Sequence, residues 1–115
     1  THENDMALLG TRTVLFSLAL LNASSAVYAY WLGMPLVGSG LVGVSMLEAL
    51  AALSAPLSPM RRFAGLAVAS CNTAFIVGAG VLGYGDERLH SLGGLVAAAV
   101  EGAIMISIAT GRWNR

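Results

Sequence analysis

Two glutamates and two asparagines sit inside long apolar runs, where amide and ionisable groups are costly. Asn22 follows L-A-L-L, Glu48 lies in S-M-L-E-A-L, Asn72 in A-S-C-N-T-A and Glu101 in A-A-V-E-G-A. A carboxylate at the centre of a bilayer costs about 3 kcal/mol on insertion scales, so such groups turn inward and find partners. Gln or Asn would serve to glue helices without an ionisable proton, which makes the two glutamates the candidate catalytic residues. Asn22 and Asn72, with Ser25 and Thr73 close behind them, are the candidate substrate-binding residues. Two carboxyl groups in a low dielectric repel as anions, so at least one is expected to hold its proton at neutral pH. A neutral acid beside an ionised one suits general acid–base chemistry, and equally a proton-coupled cation site.

The elements that must carry these residues follow from composition. The chain has 115 residues, 57% hydrophobic and only 10% charged. A soluble domain carries about 25% charge, so this composition points to an integral membrane protein. Apolar runs cover residues 13–33, 36–55, 63–83 and 92–110. Each is long enough to cross a hydrocarbon core of about 30 Å as helix, which pairs its own backbone groups. Pro35 opens the second run, and Pro56 and Pro59 close it. The expected architecture is all-α, a polytopic four-helix membrane bundle over 1–115 as one integral membrane domain.

The halves repeat a pattern. Leu18 to Ala26 reads L-A-L-L-N-A-S-S-A, and Leu66 to Ala74 reads L-A-V-A-S-C-N-T-A. The Asn-to-Glu separation is 26 residues in one half and 29 in the other. Two similar two-helix hairpins in the same orientation form a parallel pseudo-repeat, unlike the inverted repeats of many transporters. Small residues mark helix faces. Gly94, Ala98, Gly102 and Ile106 form a stripe beside Glu101, and Gly40 and Val44 lead to Glu48 and Ala52.

Charge orients the bundle. Arg12, Arg61, Arg62, Arg112 and Arg115 fall on one side of four crossings, and Arg88 alone on the other, with Asp86 and Glu87. The positive-inside rule puts both termini in the cytoplasm, and the expected location is a bacterial inner membrane. Tyr28, Tyr30, Trp31, Tyr84 and Trp113 fit the aromatic belts. With no net charge and no lysine, no nucleic-acid partner is expected. One cysteine, Cys71, and two histidines, His2 and His90, offer neither a zinc cluster nor bis-histidine haem ligation within the apolar runs; no metal and no cofactor are expected. Gly78, Gly80, Gly83 and Gly85 lack the strand–turn–helix setting of a phosphate loop. The Asp86–His90 loop reads as a solvated turn.

Two families resemble the chain in outline. The duplicated hairpin and the L-E-A-L stretch at Leu47–Leu50 resemble rotor proteolipids of rotary ATPases, but Val14 to Tyr28 contains no glycine where that family has a glycine-rich helix. Small multidrug transporters are similar in length and helix count, yet carry their glutamate in the first helix, where this chain has Asn22. Neither is adopted. The leading expectation is an intramembrane acid–base enzyme acting on a lipophilic small molecule, as an isomerase, cyclase or epoxide-opening hydrolase. Two alternatives stay open: a proton-coupled transporter or channel working as a homo-oligomer, and a non-catalytic accessory subunit of a larger membrane complex.

Overall fold

The computed structural model describes residues 2–81 and 92–113, with side chains described over 10–81 and 93–113. It is all-helical: α1 spans His2–Trp31, α2 Pro35–Leu53, α3 Pro59–Val81 and α4 Leu92–Ala109. Three helical stretches are long and apolar enough to cross a membrane: Gly10–Trp31, Pro35–Leu53 and Pro59–Val81. The apolar stretch of α4, Gly93–Ala109, is shorter. Helix α1 starts well before its apolar run, because the polar opening residues continue the same helix. Tyr84, Asp86, Glu87, Arg88, His90, Gly83, Gly85 and Arg115 lie outside the described residues.

The helix ends follow from local chemistry. Gly33 takes φ +77°, and α1 closes with the Gly33 amide donating to Tyr30 O and the Met34 amide to Ala29 O. That pair of bonds satisfies the last free carbonyls of the helix and needs a residue tolerant of positive φ. Pro35 then begins α2 at a position where a missing N–H costs nothing. Ser58 caps α3, its Oγ accepting from the Arg61 amide at 3.2 Å, with Pro59 first in the helix. Gly111 ends α4, and the side chain of Leu57, from the α2–α3 turn, packs on it. The α2–α3 turn and the end of α4 therefore share one end of the molecule.

Packing runs in sequence: α1 on α2, α2 on α3 and α3 on α4. The large buried apolar side chains, Leu15, Val44, Val68, Met105 and Ile108, form one cluster, and all but the mid-helix Val44 lie in the half nearer that end. Towards the other end the buried residues are small, among them Ala26, Ala29, Gly38 and Ala79. The outside is apolar along the helices, with Leu20, Leu21, Val27, Met46, Phe63, Leu66 and Val77 all exposed. Helices α3 and α4 meet closely at Gly65, where an added Cβ would lie 2.6 Å from both the Met105 carbonyl oxygen and Ala109 Cβ. Of the stripe on α4, Gly102 is buried against Ala69 and Asn72, while Gly94 and Ile106 are exposed. Val44, Glu48 and Ala52 share a buried face of α2, and Gly40 stands outside it.

Candidate functional site

Each of the four helices contributes one polar side chain to a single network. Asn22 of α1 donates from Nδ2 to Glu48 Oε1 of α2 at 2.5 Å, and from the same nitrogen to Glu101 Oε2 of α4. Asn72 of α3 donates from Nδ2 to Glu101 Oε1 at 2.5 Å and to the Ala98 carbonyl at 3.1 Å. The two carboxyl groups are thus no more than two hydrogen-bond lengths apart. Glu48 is fully buried, Glu101 is 8% exposed and Asn72 9%. Glu48, Asn72 and Glu101 each lie on the buried face of their helix, one turn from a packed core residue: Val44 before Glu48, Val68 before Asn72 and Met105 after Glu101; Asn22 is half-buried.

The satisfaction of the two acids is unequal. Both oxygens of Glu101 accept an amide hydrogen. Glu48 accepts only at Oε1, and its buried Oε2 has no hydrogen-bond partner. A buried oxygen without a partner costs roughly 1–3 kcal/mol, unless it meets a ligand. Two carboxyl groups this close repel when both are ionised. Ser45 adds a neighbouring tie, its Oγ donating to Ala19 O at 2.7 Å and holding α2 to α1 one turn from Glu48.

The other candidate residues lie elsewhere. Ser25 is exposed, as are Ser24 and Ser70. Thr73 is exposed and donates to the Ala69 carbonyl of its own helix at 2.8 Å. It lines a half-open groove of about 270 Å³ between α3 and α4, together with Asn72, Ile76, Ala98, Ala103 and Ile106. Neither glutamate lines that groove; Asn72 stands between it and the carboxyl pair.

A second buried polar centre went unread in the sequence. Arg61 is fully buried, donating from Nε to Ala51 O at 3.2 Å and from Nη2 to Ser54 O at 2.9 Å. It donates to two carbonyls at the end of α2, of which Ala51 O also accepts the Ser54 amide, and that helix end favours a positive charge. Its Nη1, and Nε of Arg12, are buried without partners. The signal was present: Arg61 is the third residue after the Ser58–Pro59 cap, close to the preceding helix end. Among the described residues no group of acidic, histidine or cysteine side chains has metal-binding geometry. No family model matches the chain, and neither does any curated protein or solved structure.

Proposed function

We propose that the chain is an integral membrane protein of two like hairpins that carries out acid–base chemistry on a lipophilic small molecule. The observation that carries this reading is the single Asn22 nitrogen bonded to both Glu48 and Glu101, which pairs carboxyls from opposite hairpins in a buried site. The membrane reading is supported by apolar residues on the outside of the helices, where a soluble protein would place charge. Four crossings place both termini on the arginine-rich side, the cytoplasmic face of a bacterial inner membrane. The like bonds Asn22–Glu48 and Asn72–Glu101 support a parallel repeat.

In this mechanism Glu101 is the anchored partner, because both its oxygens already accept hydrogen bonds. Glu48 holds the proton on Oε2, the atom left free. Glu48 gives that proton to the substrate, and the pair recovers one from a neighbouring carbon or from water. An isomerisation or cyclisation leaves the proton count unchanged; epoxide opening adds one water. Asn22 keeps the two carboxyls in register as charge moves.

The test uses the full chain in phosphatidylcholine nanodiscs made up in deuterated water, supplied with isoprenoid and epoxide-bearing lipophiles. Mass spectrometry then follows deuterium entering the lipophile. Glu48→Gln and Glu101→Gln are each expected to lower exchange at least about 100-fold. Exchange that persists in the double variant would overturn the proposal. Proton movement across sealed vesicles, lost in the same variants without turnover of any lipophile, would favour the transport reading instead.

A further inference from the structure

The groove between α3 and α4 has a polarity of its own. Asn72 Nδ2 faces two acceptors, Glu101 Oε1 and the Ala98 carbonyl, which fixes the amide nitrogen on that side and uses both its hydrogens. The Asn72 carbonyl oxygen is left over. It has no hydrogen-bond partner among the described residues, on a side chain nine-tenths buried that lines the groove. Thr73, also lining it, has spent its hydroxyl hydrogen on Ala69 O and retains acceptor lone pairs. The remaining wall is apolar and small: Ala69, Ala103, Ile76 and Ile106.

We propose that this groove binds a lipophilic alcohol, its hydroxyl donating to Asn72 Oδ1 and its apolar body lying along Ala103 and Ile106. The site has acceptors to offer and no free donor, so it selects a ligand that brings a hydrogen. Ketones, ethers and esters of the same shape bring none and leave the amide oxygen unpaired. The volume lies just below the usual range for drug-sized ligands, which suits a short chain or one segment of a longer one. Asn72 belongs to both places: the oxygen that takes the alcohol is conjugated to the nitrogen that holds Glu101. The inference concerns binding, and stands whether or not the carboxyl pair is catalytic.

The experiment photolabels the full chain in phosphatidylcholine nanodiscs with a dodecanol bearing a terminal diazirine, and maps the labelled peptides. Labelling is expected on α3 and α4 around the groove, with unlabelled 1-dodecanol competing about tenfold better than dodecyl methyl ether. Asn72→Leu is expected to keep the label and bring the two competitors level. Ala103→Phe, on an exposed face away from the network, fills the groove and is expected to remove the label. Equal competition by alcohol and ether in the parent would overturn the proposal, as would labelling that Ala103→Phe leaves unchanged.

Discussion

The two hairpins place the same residue types at the same stations and satisfy them differently. In the α3–α4 hairpin, Asn72 spends one hydrogen on Glu101 and the other on backbone, and Glu101 is saturated. In the α1–α2 hairpin, Asn22 spends both on carboxyls, one of them across the molecule, and Glu48 keeps an unmatched oxygen. Their backbones also approach at different places. Gly65 packs on Met105 and Ala109 near the arginine end, whereas Gly38 lies under the Tyr30 ring at the opposite end. The two Asn–Glu pairs are thus unequal: both oxygens of Glu101 accept hydrogen bonds, whereas one oxygen of Glu48 accepts none.

The largest stability effect is expected at the close contact in the second hairpin. A methyl group at Gly65 would lie 2.6 Å from the Met105 carbonyl, so the backbones of α3 and α4 must separate. Overpacking of this kind costs about 3 kcal/mol, read as a lower midpoint in detergent unfolding of Gly65→Ala. Gly43→Ala in the first hairpin meets open space and serves as the matched control, with no loss expected. A parent-like Gly65→Ala would mean that the hairpins are not packed unequally.

Next in size is the link between hairpins. Helices α1 and α4 are joined by the Asn22–Glu101 bond, while the close backbone packing runs through α2 and α3. Asn22→Leu removes that tie and the Glu48 bond together, leaving Glu48 with no partner on either oxygen. The expected loss is about 2.5 kcal/mol in the same assay, for two hydrogen bonds between helices lost together. A loss below that of a single hydrogen bond would show that the hairpins hold together without the network.

Much of this is legible in the sequence. The apolar lengths placed four helices and Pro35 the start of α2, but α1 begins well before its apolar run, and Pro59, read as closing the second run, opens α3 instead. The meeting of Asn22, Glu48, Asn72 and Glu101 was legible from cost: no amide or acid stays unpaired in an apolar run. What composition could not convey was direction within the network. One pattern, Asn then Glu, predicts two equivalent pairs, yet which amide hydrogen crosses between hairpins depends on relative helix rotation. Ser25, three residues beyond Asn22, turns to the outside, which spacing along the chain does not reveal. Arg61 was read only as a topogenic charge, because its burial depends on the end of α2 lying beside it.

The smallest effects test the asymmetry most sharply. Replacing Glu101 by Gln puts an NH₂ group where one of two amide donors already points, so a donor meets a donor whichever way the side chain flips. That change is expected to cost about 1.5 kcal/mol. In Glu48→Gln the oxygen can stay towards Asn22, and the NH₂ group takes the place of Oε2, which accepts nothing. The glutamine then mimics a glutamate protonated at that atom, and its stability should fall within about 0.5 kcal/mol of the parent. Both substitutions remove one ionisable group from nearly the same depth, so desolvation alone predicts the same change for each. Equal unfolding midpoints for the two variants would therefore assign the proton to the pair as a whole, and a gap of the expected sign would place it on Glu48.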